Sequence, residues 1–472
     1  MEPVKIAVIG AGASGTITTI QLLQKLNVPA EIYLIEKRKE ATCLGTAYSS
    51  PLPYEPLNVQ TGRMSIFNHL PDDFFNWLKA NKQSGSKTEI TTDCFVSRRW
   101  FGEYLQQHFS AAQKAAPHIR VHIVNTFCKD VDYSETEESY TVWFDTADYV
   151  YADYLVFATG NETPADIFSQ EQVQLLAEKY VSNPWHTNPF TNLQSTDDVL
   201  FVGTGLTMID HVVSLQKQNH QGKIFCFSRN GYLPLPHTYI QAFTFETDGE
   251  ARGVQFAFAS LRNNIKKASS KKVEWQNVID AMRPYTTKFW RSMTTDSKKE
   301  FLKRLRPYWE IHRHRMPNAS ANSITTMQQS GQLKIVGGKF GRLALKDNRV
   351  EFCYASKAGK SNQQFLVDRI INCTGPSNDY YQTSNTLFKN LLQKGWMQQD
   401  ELKLGIVTGA RGEIIKANGV VLHNAFGVGP VRKASEWEST AIREIRTHAE
   451  NVAISIAAPA EKKFDMTAEI GL

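Results

Sequence analysis

The chain has 472 residues, of which 42% are hydrophobic and 11% aromatic, and its formal net charge is +6. This length predicts two or three domains, and the composition is typical of a globular protein with a sizeable core. The sequence has no run of 18 or more apolar residues, which argues against a transmembrane helix, and its first residues do not fit a signal peptide. We therefore expect a cytoplasmic protein that does not act at a membrane.

The first part of the chain predicts a dinucleotide-binding unit. An apolar strand over residues 4–9 leads into Gly-x-Gly-x-x-Gly, formed by Gly10, Gly12 and Gly15, and a helix and a second strand follow. The three glycines permit a tight turn, close approach of a pyrophosphate and close packing of the helix on the strand. The helix N-terminus attracts phosphate, and Glu36 is placed to accept hydrogen bonds from ribose hydroxyls.

A second, modified glycine turn follows a later apolar strand. It contains Gly203 and Gly205, but Met208 replaces the third glycine, whose function is helix packing more than phosphate approach. The next strand ends in Ser228 and Arg229 instead of an acid. Because an arginine and a hydroxyl group suit a 2′-phosphate, this site predicts NADPH rather than NADH.

Two further apolar strands end in a Thr-Gly pair, one at Thr159 and Gly160 and the other at Thr374 and Gly375. With the two glycine turns, they resemble the flavoprotein superfamily in which an NAD(P)H domain is inserted into an FAD domain. The resemblance implies that the first site holds FAD. It also implies an α/β fold with two nested Rossmann-like dinucleotide-binding domains and a helical insertion.

The same resemblance predicts the domain boundaries. The FAD-binding domain would comprise residues 1–185 and 366–472. The NAD(P)H-binding domain would comprise residues 186–365, with the helical insertion at about residues 235–325.

The segment after the first turn distinguishes branches of this superfamily. Relatives of glutathione reductase carry Cys-x-x-x-x-Cys there, whereas Tyr48 stands five residues after Cys43, which excludes disulfide exchange through such a pair. The six cysteines include no Cys-x-x-Cys pair, so we expect no metal site. In flavin-containing monooxygenases an Asn precedes a Met by six residues, as Asn58 precedes Met64. This resemblance implies that Asn58 lies near flavin C4a, and the alternative is that it only ends a strand.

Longer motifs extend over nearly the whole chain. They include GTAY at 45–48, GTGLTMID at 203–210, IDAMRP at 279–284, RPYWEIHRHRM at 306–316 and WESTAIREIR at 437–446. Together they resemble a bacterial family of FAD/NAD(P)-binding proteins, one branch of which is assigned as FAD-dependent urate hydroxylase. The family does not fix the substrate, because function resides in the site and not in the fold.

A turn at Gly429 and Pro430 precedes a helix that we expect from about Glu438, with Ser439 or Thr440 as its cap. In flavoproteins of this kind the N-terminus of that helix points at the flavin pyrimidine ring. Its dipole would stabilise the anionic reduced flavin.

Asn58 and Arg63 are the candidate catalytic residues. The residues expected to bind the cofactors FAD and NADPH are Gly10, Gly12, Ala13, Ser14, Gly15, Glu36, Lys37, Gly45, Thr46, Asn58, Met64, Ser65, Arg99, Val131, Thr159, Gly160, Gly203, Thr204, Gly205, Leu206, Thr207, Ser228, Arg229, Thr374, Gly375, Ser439 and Thr440.

Residues 261–315 hold fifteen Lys or Arg and five Asp or Glu, interleaved with aromatic residues. Such a segment can bind nucleic acid, but its ordered mixture favours a helical cap with aromatic core residues and solvated charges. We expect Pro284 and Pro307 to interrupt its helices. His312 and His314 face different directions on a helix and have no carboxylate at suitable spacing, so we expect no metal there.

The combined prediction is a monooxygenase in which NADPH reduces FAD and a flavin C4a-peroxide hydroxylates a small polar or nitrogen-containing substrate. The partners would then be a small molecule and molecular oxygen. One alternative is an FAD-dependent NAD(P)H oxidoreductase without oxygen insertion. The other is a flavin-containing protein that binds nucleic acid through the basic insertion.

Overall fold

The computed structural model describes residues 2–50, 55–82, 89–185, 188–247, 253–357, 359 and 362–470, with side chains as far as residue 462. The chain divides into two compact units. Unit 1 comprises Met1–Ser49, Val59–Glu162 and Ser377–Leu472, and unit 2 comprises Ser50–Asn58 and Thr163–Pro376. Within the described residues, no helix is long and apolar enough to span a membrane.

The strands and helices are numbered in chain order. The strands are β1 (Val4–Ile9), β2 (Ala30–Ile35), β3 (Ile119–Val124), β4 (Cys128–Ser134), β5 (Ser139–Phe144), β6 (Tyr149–Ala152), β7 (Tyr154–Phe157), β8 (Tyr180–Val181), β9 (Val199–Val202), β10 (Ile224–Ser228), β11 (Leu333–Lys346), β12 (Arg349–Ser356), β13 (Asn362–Val367), β14 (Arg369–Asn372), β15 (Glu413–Ile415) and β16 (Val421–Gly427). The helices are α1 (Ala13–Lys25), α2 (Gly45–Tyr48), α3 (Asp73–Lys82), α4 (Arg98–Ala115), α5 (Gln170–Leu176), α6 (Leu206–Lys217), α7 (Val254–Ser270), α8 (Trp275–Ser292), α9 (Thr295–Glu300), α10 (Arg306–Arg313), α11 (Asn318–Gln329), α12 (Thr386–Gln393) and α13 (Ile442–Ile470).

Unit 1 is built on a six-stranded sheet in the order β15-β16-β7-β1-β2-β3. All neighbouring strands are parallel except β15 and β16, which are antiparallel. The β7 segment is buried at every residue and β1 at all but one, as the apolar sequences of parallel central strands require. A separate antiparallel sheet, β4-β5-β6, belongs to the same unit.

Unit 2 contains a seven-stranded sheet in the order β13-β12-β11-β10-β9-β14-β8. The neighbouring strands along β11-β10-β9-β14-β8 are parallel. Strands β11, β12 and β13 form an antiparallel meander at one edge. The predicted α/β fold with two Rossmann-like units is thus confirmed.

The boundaries between the units differ from the predicted ones. The chain passes from one unit to the other after residues 162 and 376, not after residues 185 and 365. The reason is strand pairing, because β14 pairs with both β8 and β9 and therefore completes the sheet of unit 2. Residues 50–58 also belong to unit 2, which no sequence pattern indicated.

The basic insertion forms helices α7 to α10 and packs around its own aromatic core. Phe289 and Trp290 are buried, whereas Tyr308 is half exposed. Buried rings are not available to stack on bases, so the helical-cap interpretation is favoured over a nucleic-acid surface. Pro284 lies inside α8, which continues through it, and Pro307 lies in the first turn of α10. The expected break at Pro284 was therefore wrong.

Candidate functional site

The first glycine turn of unit 1 joins β1 to α1 and has little free space. Gly10 has φ +102°, and a Cβ atom there would lie 2.4 Å from the main-chain oxygen of Ala158. A Cβ atom on Gly15 would lie 1.9 Å from the main-chain oxygen of Gly10. The turn therefore requires glycine at both positions and sets β1 directly beside Thr159, the residue after Ala158.

Gly12 lies against another backbone segment. Its added Cβ would be 3.2 Å from the Cα of Gly45, which itself has φ +60°. The N–H of Cys43 donates to the main-chain oxygen of Ala11 at 2.8 Å and holds this segment in place. Burial raises the pKa of the Cys43 thiol to about 11, which fits a packing residue and not a nucleophile.

Glu36 lies at the end of β2 and is connected to the glycine turn. Its Oε2 accepts from the N–H of Ala11 at 3.2 Å, and its Oε1 accepts from the N–H of Arg38 at 3.1 Å. Each carboxylate oxygen keeps a further lone pair for a ligand hydroxyl. Nearby, Lys37 stands 5.4 Å from the ring of Phe127, and the hydroxyl of Thr46 accepts from Arg38 at 3.1 Å.

Replacing Glu36 with alanine should weaken FAD binding by about tenfold to a hundredfold, because charge-assisted hydrogen bonds to the ribose would be lost. Titration of the apoprotein with FAD, followed by quenching of flavin fluorescence, measures the change. Glu40→Ala is the control, since Glu40 lies in an exposed turn four residues further on. Equal FAD affinity in the Glu36 and Glu40 variants would contradict the assigned role of Glu36.

Residues at the end of β16 complete the same side of unit 1. Gly429 has φ +78°, and a Cβ atom there would lie 2.7 Å from the hydroxyl of Ser14 in α1. Its N–H donates to Nδ1 of His448 at 3.3 Å, and Nε2 of His448 donates to Glu436 at 2.9 Å. Glu436 also accepts from the guanidinium of Arg432, and all three side chains are buried.

This buried network, formed by Arg432, Glu436 and His448, was not found by sequence reasoning. Burial, and then the neighbouring Arg432 charge, lower the pKa of His448, so the imidazole is neutral with its proton on Nε2. The guanidinium donates further to the main-chain oxygens of Ala410 at 3.1 Å and Arg411 at 3.3 Å. The network thus fixes the Gly429 turn against the first turn of α1.

Helix α13 begins at Ile442, later than expected. The N–H groups of Glu444 and Ile445 bond to the main-chain oxygen of Ala441, so neither Ser439 nor Thr440 has the predicted capping position. Ser439 is instead fully buried. Both residues lie in the irregular segment that connects the Gly429 turn to the helix, so the helix starts only after them.

The hydroxyls of Ser439 and Thr159 are buried and have no hydrogen-bond partner within the described protein. Such groups are normally satisfied, so each fits a ligand atom. Gly160 has φ +74°, and a Cβ atom on it would enter open space. Together with the glycine turn and Glu36, these residues fit FAD in unit 1.

The other predicted unit 1 residues have varied environments. Met64 and Ser65 are buried, and the main-chain oxygen of Ser65 accepts from Arg446 at 2.9 Å. Arg63 ends a short helical turn, Thr61–Arg63. The side chain of Arg99 is 82% exposed and lies 3.7 Å from Glu103.

Val131 is buried within β4, and its role in cofactor binding stays a prediction. Its N–H donates to Asp130 at 2.9 Å, and its main-chain oxygen accepts from Lys394 at 3.4 Å.

The glycine turn of unit 2, between β9 and α6, has a geometry similar to that of the first turn. Gly203 has φ +109°, and its added Cβ would lie 2.1 Å from the main-chain oxygen of Cys373, next to Thr374. An added Cβ on Gly205 would meet no atom within 4 Å, so the backbone there is open to a ligand. Met208 is fully buried in the core, in agreement with the helix-packing reading of this position. Leu206 and Thr207 are half-buried in the first turn of α6.

The end of β10 is stabilised by hydroxyl groups. The hydroxyl of Thr204 donates to the main-chain oxygen of Tyr232 at 2.6 Å and lies 2.9 Å from the hydroxyl of Ser228. The Ser228 hydroxyl accepts from the N–H of Gly231 at 2.9 Å. Arg229 is exposed at this turn. Ser228 therefore supports the turn, and the charge offered to a ligand comes from Arg229.

Asn58, which was predicted to lie near the flavin, belongs to unit 2, and so does the Thr374, Gly375 pair, which was predicted to bind a cofactor. The main-chain oxygen of Asn58 accepts from Nε2 of His237 at 3.1 Å, so its side-chain amide is not part of this contact. The hydroxyl of Thr374 donates to Asn372 at 2.7 Å, and Gly375 has φ +88°. Of the two candidate catalytic residues, Arg63 belongs to unit 1 and Asn58 to unit 2.

The two histidines of the insertion have local partners. Nδ1 of His312 lies 2.7 Å from the main-chain oxygen of Tyr308, and Nε2 of His314 lies 3.3 Å from a Glu310 oxygen. Glu310 is thus a carboxylate partner that spacing did not predict. In the described part of the chain no three His, Cys, Asp or Glu residues form a group that could hold a metal ion.

Comparisons with known proteins agree with this geometry. A family model described as FAD-NAD(P)-binding matches residues 7–162, which include Gly10 and Glu36 and cover most of the first two segments of unit 1 together with residues 50–58 of unit 2. No curated protein sequence matches the chain significantly.

Solved structures match over almost the whole length. L-lysine 6-monooxygenase from Pseudomonas syringae has 14% identity and a TM-score of 0.65, covering 98% of this chain and 99% of that chain. Ornithine N-hydroxylase from Kutzneria sp. 744, in a structure with reduced FAD, NADP+ and L-ornithine, has 14% identity and a TM-score of 0.64, covering 97% and 100%. Bacillithiol disulfide reductase from Bacillus cereus has 14% identity and a TM-score of 0.54, covering 97% and 100%. At these identities the likeness establishes the fold and not the function.

Proposed function

We propose that the chain is an FAD- and NADPH-dependent monooxygenase that hydroxylates a small polar or nitrogen-containing substrate. One oxygen atom would enter the substrate as a hydroxyl group, the other would leave as water, and NADPH would supply the two electrons. The observation that carries the proposal is the pair of unlike dinucleotide units. The first strand–turn–strand unit ends in Glu36, which disfavours a 2′-phosphate, and the second ends in Arg229, which favours one.

Bound FAD would supply hydride acceptance and oxygen activation. The chain would hold the FAD pyrophosphate at the N-terminus of α1 and its ribose at Glu36. It would hold the NADPH pyrophosphate at Gly205 and the N-terminus of α6. Asn58 and Arg63 stay proposed flavin-side residues.

An amine nitrogen is the substrate atom that we favour. The lysine and ornithine enzymes among the matching structures act on amino acids, and both have higher TM-scores than the disulfide reductase. A thiol–disulfide reaction lacks support in this chain, because Cys43 is buried and Tyr48 occupies the position of the second cysteine.

The test uses the purified holoenzyme with NADPH and a panel of lysine, ornithine, cadaverine and purines. We expect anaerobic NADPH to bleach the flavin, and one substrate to stimulate oxygen uptake with a product heavier by one oxygen atom in mass spectrometry. Flavin reduction without oxygen uptake would instead favour the oxidoreductase alternative. Oxygen uptake that yields only hydrogen peroxide with every compound would also contradict hydroxylation of this substrate class.

A further inference from the structure

A second cation, Lys357, contacts Asn230, the residue after Arg229, in the turn that follows β10. The ammonium group of Lys357 donates to the side-chain oxygen of Asn230 at 2.9 Å and stands 5.5 Å from the ring of Tyr232. Lys357 follows β12 and is 128 positions from Arg229 in the sequence, so no local motif connects the two residues. It is the fold that places this charge next to the turn.

The backbone fixes Lys357 in this place. Its N–H donates to the main-chain oxygen of Gly337 at 2.9 Å. Gly337 packs directly on the turn, because a Cβ atom on it would lie 2.7 Å from the main-chain oxygen of Asn230. Gly231, with φ +67°, allows this close approach. The main chain of Lys357 is therefore anchored beside the turn.

The carboxyl end of the second strand in a Rossmann unit is where the 2′ position of the adenosine ribose lies. A 2′-phosphate carries up to two negative charges and is bound best by more than one cationic donor. Arg229 supplies one cationic donor. The Ser228 hydroxyl carries no charge and already accepts a hydrogen bond from the N–H of Gly231. Lys357 is exposed, so its ammonium group can leave Asn230 and bind a phosphate oxygen without loss of core packing.

We propose that Lys357 is, together with Arg229, a specificity-determining residue that binds the 2′-phosphate of NADPH. This inference rests on the proposed use of a nicotinamide cofactor in unit 2. It assigns the preference for NADPH over NADH to two cations from distant parts of the sheet.

The test compares Lys357→Met, which keeps the aliphatic stem without the charge, with Lys357→Arg, which keeps the charge. Isothermal titration calorimetry of the holoenzyme with 2′,5′-ADP and with 5′-AMP measures binding without any turnover. We expect Lys357→Met to weaken 2′,5′-ADP binding by about tenfold and to leave 5′-AMP unchanged, because one charge-assisted bond is lost. Lys357→Arg should restore most of the affinity.

Lys334→Ala is the matched control. Lys334 is an exposed lysine of the same sheet, but it lies near the start of β11, at the opposite end from the turn. Equal weakening of both nucleotides in Lys357→Met would mean a structural role and would overturn the inference. So would a wild-type protein that binds 2′,5′-ADP no better than 5′-AMP.

Anaerobic flavin reduction by NADPH and NADH separates this inference from the proposed function. If Lys357→Met raises only the NADPH concentration needed for half-maximal reduction, both ideas are supported. If neither cofactor reduces the wild-type flavin while 2′,5′-ADP still binds through Lys357, the monooxygenase proposal fails and the phosphate site stands.

Discussion

The Gly15→Ala protein should lose its flavin. The new methyl group would lie 1.9 Å from the main-chain oxygen of Gly10, and neither atom belongs to a flexible side chain. Helix α1 must therefore move away from β1, and the N–H groups at its N-terminus move with it. We expect a loss of about 3 kcal/mol in the free energy of unfolding and a drop in FAD affinity of at least about a hundredfold. Flavin absorbance that co-elutes with the protein, together with thermal unfolding of the apoprotein, measures both effects.

Gly205→Ala in unit 2 is the matched control. A Cβ atom there meets nothing within 4 Å, so the variant should fold and retain FAD normally. It should weaken NADPH binding, because the methyl group would occupy the space needed by the pyrophosphate. A Gly15→Ala protein that keeps full flavin content and wild-type thermal stability would refute the steric argument.

The Glu436→Ala protein should be strongly destabilised. Arg432 is 1% exposed, and the substitution would remove a carboxylate that accepts a hydrogen bond from its buried guanidinium. Breaking a buried ion pair from one side typically costs about 3–5 kcal/mol. The proton on Nε2 of His448 would also lose its acceptor, so the Gly429 turn should loosen. Urea denaturation of the holoenzyme measures the change.

Glu300→Ala is the control for this prediction. Glu300 and Arg304 have the same spacing of four residues and lie 3.8 Å apart, but the Arg304 side chain is 71% exposed. Removing this surface pair should change the free energy of unfolding by less than about 1 kcal/mol. If Glu436→Ala is no worse than Glu300→Ala, the buried network does not stabilise the turn.

Local sequence patterns predicted the fold well because each depends on residues close together in the chain. Gly10, Gly12, Gly15 and Glu36 have fixed offsets within one strand–turn–helix–strand unit. Met208 was correctly interpreted as a packing residue for the same reason. The Thr-Gly pairs correctly suggested a nested arrangement, and each pair indeed lies beside a glycine turn, at Ala158 for Gly10 and at Cys373 for Gly203.

Contacts between distant segments could not be predicted in this way. The approach of Gly45 to Gly12 and the position of Lys357 beside Asn230 depend on tertiary packing. The contact between Gly429 and His448, a residue of α13, also depends on tertiary packing. The helix start at Ile442 was missed because Ser439 and Thr440 have the residue types that cap helices. In the structure both residues lie in the segment that precedes the helix.

Unit 2 is built from two separate segments of the chain, Ser50–Asn58 and Thr163–Pro376. Glu55 is buried and lies 3.8 Å from the imidazole of His211, and Asn58 accepts from His237. A fragment that starts at residue 163 would lack both partners, although it contains the whole seven-stranded sheet. Dissection of this protein into separately expressed pieces should therefore treat the short stretch before Val59 as part of unit 2, for example by fusing it ahead of residue 163 through a flexible linker.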